Sequence, residues 1–254
     1  MFDQSLFFAS APPLKPSVTA LLNSANGSTV FVDSSSYAHP ILNIGSAVAS
    51  NAHPMLGAST SLRNQNFKYL AINGSGLPEF DITSGGTKNN DWTLDLTVYI
   101  ESYNHPYYPT LASIRNKGVG VAFGGDYYPL ILLVDSATGG IGVALQNTVG
   151  INMCEINSFI YGAIAPLNTN VSIRGEVYNN RLYLYLNGVG VVPGGVAIPA
   201  ITGNPSTKTF CIGGGGSTSN IAEILGYSQQ CVFYNNVSLT KGADSYTPAT
   251  TLTP

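Results

Sequence analysis

Charge is scarce in this chain. Only 9% of its 254 residues are Asp, Glu, Lys or Arg, against about a quarter in an ordinary globular domain. The ten basic residues stand singly and the formal net charge is −3, so no basic stripe exists to track a phosphate backbone and no nucleic-acid partner is expected. Long apolar runs are missing as well. No segment reaches the ~18 consecutive apolar residues of a membrane-spanning helix, and no membrane insertion is expected. Cysteine is limited to Cys154, Cys211 and Cys231. An odd number at unrelated spacings is neither a disulfide framework nor a zinc-ligand set, so buried free thiols are expected. The opening MFDQSLFFASAPPLKPS has Asp3 where a secretory signal carries positive charge, and its apolar core is short. The chain is therefore expected to fold in a cytoplasm without a signal peptide.

Apolar residues, glycine and tyrosine are plentiful. Hydrophobic residues make up 44% of the chain, with 28 Gly and 15 Tyr, enough to build one large core and too many for disorder. No stretch keeps a 3.6-residue period over three turns, whereas short runs of β-branched and aromatic residues recur between turn residues. Strands are predicted at TVFVDS (29–34), YLAING (69–74), WTLDLTVYI (92–100), PLILLVDS (129–136), IGVALQ (141–146), NVSIRGEVYNN (170–180), RLYLYLNG (181–188), TFCIGG (209–214) and QCVFYNN (230–236). In RLYLYLNGVGVV, Leu and Tyr alternate up to Asn187-Gly188, the strongest short signal for a two-residue hairpin turn. The Gly213–Gly216 run lacks the strand, helix and lysine of a phosphate-binding loop. These signals predict an all-β, two-sheet sandwich or barrel. Residues 1–17, with Pro12, Pro13 and Pro16 among Phe2, Leu6, Phe7 and Phe8, read as an extended apolar arm that packs on something, a neighbouring subunit included. Residues 18–240 form the sandwich and 241–254 a tail that packs on it or on a neighbour.

Three separated stretches resemble one family. VTALLNSANGSTVFVDSSS (18–36), FKYLAING (67–74) with DWTLDLTVYI (91–100), and NVSIRGEVYNNRLYLYLNGV (170–189) followed by CIGGG (211–215) are similar, in that order, to LamG-like, concanavalin A-like jelly-roll domains of tailed-bacteriophage virion proteins. GYSQQCVFYNNVSL (226–239) and the ending KGADSYTPATTLTP (241–254) fit the same pattern. The resemblance implies an antiparallel jelly-roll sandwich with one concave sheet, and sugar binding or virion architecture as its use. Family members often carry Asp in the first and last strands, where these can help to hold Ca²⁺. Here those positions are Asn23 and Gln229, so neither metal nor any other cofactor is expected. Asp33 stays in place, and an Asp-Ser-Ser turn reads as a backbone cap.

Catalysis is not expected. The glucanases of this fold use a Glu-x-Asp-x-x-Glu run, which is absent. Asp91 and Asp95 share a strand face but stand about 13 Å apart, and Glu79 and Asp81 lack a third acid, so strand-edge solvation is expected for both pairs. His39, His53 and His105 each precede a proline and read as turn residues in loops. No Gly-x-Ser-x-Gly elbow occurs.

The candidate ligand contacts, to glycan or to protein, are the paired-tyrosine loops and the hairpin: Tyr103, His105, Tyr107, Tyr108, Asp126, Tyr127, Tyr128, Tyr183 and Tyr185. Tyrosine offers a flat apolar face and a hydroxyl, which suits both uses. The expected function is that of a non-enzymatic bacteriophage virion subunit, a capsid-decoration or tail-associated protein, acting through contacts with other virion proteins and as a homo-oligomer. The alternative is an adhesin recognising host-surface glycan through the 102–110 and 124–130 loops.

Overall fold

A computed structural model describes residues 15–21, 24–65, 68–85, 89–102, 109–116, 130–135, 137–148, 154–198, 209–214 and 224–252. Among them the chain is almost entirely β. In order the strands are Val18–Leu21 (β1), Val32–Asp33 (β2), Ile41–Ile44 (β3), Val48–Ser50 (β4), Ser61–Asn64 (β5) and Tyr69–Asn73 (β6). A 3₁₀ turn at Pro78–Phe80 precedes Trp92–Ser102 (β7). Then come Thr110–Arg115 (β8), Leu130–Val134 (β9), Gly140–Thr148 (β10), Cys154–Ile164 (β11), Asn170–Tyr178 (β12), Arg181–Leu186 (β13), Val189–Gly190 (β14), Val196–Ala197 (β15), Thr209–Ile212 (β16) and Leu225–Asn235 (β17).

Two antiparallel sheets result. The larger runs β14-β13-β12-β7-β17-β1-β2, with β15 beside β13, β5 beside the start of β17, and β4 beside β5. The smaller runs β11-β10-β9-β8-β16-β6-β3. Between them lies one core, to which β7 contributes Trp92, Leu94, Leu96, Val98 and Ile100, β12 contributes Val171, Ile173 and Val177, and β13 contributes Leu182 and Leu184. Alternate residues of a strand point to opposite faces, so burying these fixes what the outer face of the larger sheet carries. The two-sheet jelly-roll sandwich expected from the sequence is the fold observed. Strands that lack a strong alternation, such as ILNI (β3), SLRN (β5) and TLASIR (β8), are found only in the structure, because sheet pairing and not propensity places them.

The turns around β13 follow their chemistry. Asn179 and Asn180 sit at φ 48° and 57°, and Asn187 and Gly188 at 50° and 82°, the left-handed pairs that match the twist of tight hairpins. At Gly188 a side chain is excluded twice. Its φ disfavours one, and a Cβ would strike the carbonyl oxygen of Tyr246 and lie 2.8 Å from Pro248 Cδ. Cys211 and Cys231 are buried free thiols, and burial pushes the Cys231 thiol well above its ordinary pKa.

Candidate functional site

The outer face of the larger sheet holds most of the polar and aromatic side chains that the core rejects. Register decides who meets whom. Arg174 of β12 lies opposite Asp95 of β7, and Asp95 lies opposite Val232 of β17. Thr97 lies opposite Gln230, and Thr93 opposite both Glu176 and Tyr234. The Arg174 guanidinium therefore meets the Asp95 carboxylate edge-on, Nε to Oδ1 and Nη2 to Oδ2 both at 2.6 Å. This two-pronged geometry is the strongest form of ion pair. Burial works against the Arg174 charge, but Asp95 outweighs it and holds the guanidinium above its ordinary value. Burial likewise pushes the Asp95 carboxyl up. Each of its oxygens nevertheless accepts an N–H of the guanidinium, which favours the ionised carboxylate.

The C-terminal segment folds back over one end of this face. Glu176, fully buried, accepts hydrogen bonds from the Ser238 hydroxyl (2.7 Å), the Leu239 and Thr240 amides (3.0 Å each) and the Thr240 hydroxyl. The Tyr246 amide donates to the Gly188 carbonyl at 2.8 Å. Its ring then lies over the Arg174 guanidinium, 3.7 Å from carbon to centroid, in a cation–π contact. Its hydroxyl lies 3.1 Å from the Ser172 hydroxyl.

Beside Tyr246 the face stays open as a small, shallow pocket of about 40 Å³, lined in part by Asp95, Thr97, Ser172, Arg174, Gln230, Tyr234 and Tyr246. Aromatic rings at its wall and hydroxyl, amide and carboxylate groups on its floor make it a site for a molecule with both apolar faces and many hydroxyls. Further along β7, His53 stacks on Tyr99 (4.0 Å between centroids) and leans on Tyr227 (4.7 Å). Arg63 lies over the Tyr227 ring and pairs with Glu101 at 2.6 Å.

Several expectations need correction. Tyr183 and Tyr185 do not offer a ligand surface: they are 7% and 0% exposed. The Tyr185 hydroxyl donates to the Ala243 carbonyl at 2.8 Å, its ring stands edge-on to Tyr246, and Tyr183 packs against Gly195 and Gly242. Their face is spent on the chain's own C-terminal segment, because a tyrosine-rich face with no cover would leave too much apolar area in water. Asp95 is no solvated edge residue, since β7 is central and Arg174 claims it. Glu79 and His39 were expected as a solvated acid and a turn residue. Instead His39 is clamped between carboxylates, Nδ1 to Asp33 Oδ2 at 2.6 Å and Nε2 to Glu79 Oε1 at 2.8 Å. Asp33 caps its own turn at Ser35 and also takes the amides of Thr19 and His39. Burial tends to raise its carboxyl, but these hydrogen bonds prevail and hold it below the usual range. Tyr103, His105, Tyr107, Tyr108, Asp126, Tyr127 and Tyr128 lie outside the described residues, as do Asn23 and residues 1–14. Gln229, at a bulge in β17, accepts the Met55 amide at 3.1 Å. Among the described residues no His, Cys, Asp and Glu cluster is arranged to hold a metal ion.

Sequence reading missed Asp95, Ser172, Arg174, Gln230, Tyr234 and Tyr246 as a site. The strict alternation of WTLDLTVYI marks Asp95 as outward-facing, but nothing local shows that Arg174, 79 residues on, is its partner.

The fold defines the class: an all-β, two-sheet antiparallel sandwich. No family model matches the chain, and no curated protein matches it in sequence. Solved structures do match in shape. The botulinum neurotoxin serotype G binding domain superposes with a TM-score of 0.58 at 10% identity, over 87% of this chain and 48% of that one. The serotype D binding domain gives 0.55 at 12%, over 88% and 48%. Trypanosoma rangeli sialidase, in complex with a difluoro-KDN, gives 0.53 at 18%, over 91% and 32%. At such identities the likeness is one of fold, and this chain spans about half of the toxin chains and a third of the sialidase.

Proposed function

We propose that the protein is a non-catalytic, lectin-like binding module that holds a saccharide in the pocket on the outer face of its larger sheet. The observation that carries this is the pocket itself, where the Tyr234 and Tyr246 rings stand beside Asp95, Thr97, Ser172 and Gln230. Rings stack on the apolar face of a pyranose while these polar heads take its hydroxyls. The neighbours lend support of a general kind, since the toxin chains are binding domains and the sialidase structure holds a sugar. The carboxylates support binding over hydrolysis. Glycoside cleavage needs two that reach the substrate, and among the described residues lining the pocket Asp95 is the single carboxylate, while Glu176 is sealed under residues 238–240. A glycan array probed with the wild type and Tyr234→Ala tests this. Binding by the wild type, weakened by about 1–3 kcal/mol in the variant, supports the reading, and a wild type blind to every glycan ends it.

The setting we propose is a bacteriophage particle, following the sequence resemblance, with the module docked on other virion proteins. The sandwich edge favours protein contacts of this kind. Val30, Val32 and Leu42, on or beside the terminal strands β2 and β3, are 70%, 58% and 41% exposed, apolar side chains that a docked protein would cover. Imaging of particles with the chain labelled tests this placement, and particles without label would overturn it.

A further inference from the structure

We infer that the pocket selects neutral saccharides over carboxylated ones and that Asp95 is the residue that sets this preference; the inference rests on the binding reading above. Recognition of a carboxylated sugar calls for a guanidinium whose charge is not already matched by a carboxylate, because the two-pronged contact draws its strength from the opposite charges. The pocket has one guanidinium, Arg174, and its Nε–Nη2 edge is already occupied by Asp95 at 2.6 Å through both oxygens. One flat face of the same group is occupied by the Tyr246 ring at 3.7 Å. The Nε–Nη2 edge and one face are thus taken within the protein, and the charge behind the remaining Nη hydrogens is already matched by Asp95.

The remaining charge also repels anions. Glu176 lies on the same face as Arg174, two residues along β12, and is buried among neutral donors: the hydroxyls of Thr93, Ser238 and Thr240 and the amides of Leu239 and Thr240. Asp95 in the pocket and Glu176 beside it, under residues 238–240, thus set two carboxylates against one guanidinium on this face. In a partly desolvated site that excess is weakly screened. A neutral pyranose meets no such penalty. Its hydroxyls donate to Asp95, whose side chain keeps 27% of its surface exposed, while Thr97 and Ser172 offer hydroxyls of their own.

The test uses an array on which each neutral oligosaccharide is printed beside its sialylated counterpart. The wild type is expected to bind a neutral member, with the sialylated partner at least about tenfold weaker, the scale on which one close charge contact acts. Asp95→Asn removes the negative charge that matches Arg174, which should narrow or reverse that ratio. Arg174 is then left short of a partner, so a thermal melt accompanies the measurement. Thr97→Lys, which adds a cation at the pocket without breaking the pair, should move the ratio the same way. Equal or stronger wild-type binding to the sialylated members overturns the inference and leaves the binding reading standing. Binding to no member at all overturns the binding reading itself.

Discussion

Tyr246 and Arg174, 72 positions apart, lie face to face, the phenol ring 3.7 Å from the guanidinium carbon that Asp95 grips from its edge. This contact ties the C-terminal segment to the centre of the larger sheet. It makes the segment part of the site wall, and the consequences can be measured.

Arg174→Met should destabilise the protein by about 1–3 kcal/mol, since it leaves Asp95 without its partner in a partly buried place. The double variant Arg174→Met, Asp95→Leu should recover much of that loss, because both charges then go together. Urea unfolding of the three proteins gives the comparison. A double variant no better than the single one would mean that packing around Tyr246, not charge, dominates.

Glu176→Gln keeps the size of the side chain but offers an amide N–H₂ where the Ser238 and Thr240 hydroxyls and the Leu239 and Thr240 amides all donate. Donor facing donor in a buried place should cost about 2–4 kcal/mol. The loosening should concentrate locally. Hydrogen exchange at residues 239–246 should quicken well before that of β7 and β12.

Gly188→Ala and Gly27→Ala make a controlled pair. Both glycines have φ near 80°, but only at Gly188 does a Cβ meet other atoms, the Tyr246 oxygen among them. The Gly27 change should cost about 1 kcal/mol from backbone conformation alone, whereas Gly188→Ala should cost several-fold more. It should also raise Tyr246 fluorescence quenching by water as the segment lifts.

Stability should fall at both pH extremes for separate reasons. Burial pushes the Tyr185 and Tyr246 hydroxyls up to about 12 from 10. The unfolded chain loses these protons from about pH 10 while the native state keeps them, so their contribution is whole below pH 10 and is lost as pH rises toward 12. Tyr185→Phe and Tyr246→Phe should flatten that decline. Asp33 runs the other way. Its folded value lies below the ordinary 3.8, so its contribution is present above about pH 4 and fades as pH falls through the folded value. Asp33→Asn should remove that acid limb in a thermal-melt series, at a cost in stability near neutral pH.

The sequence by itself determined the class of fold and its most local pieces. The alternation in WTLDLTVYI and RLYLYL is a period-2 pattern with one apolar set, and burying that set settles which face each residue takes. Asn187-Gly188 and Asn179-Asn180 are turns because their residues tolerate positive φ, a property of two or three neighbours. The tyrosines of 181–186 were legible as over-apolar, but what they touch was not. Only the tertiary structure decided that the chain's own tail covers them, that Asp95 meets Arg174, and that His39 is held between Asp33 and Glu79. Each of these joins residues from different strands or loops, so each depends on the register of β7, β12 and β17 and on the path of the returning chain. Those are fixed by the whole core at once, and no local stretch of the sequence contains them.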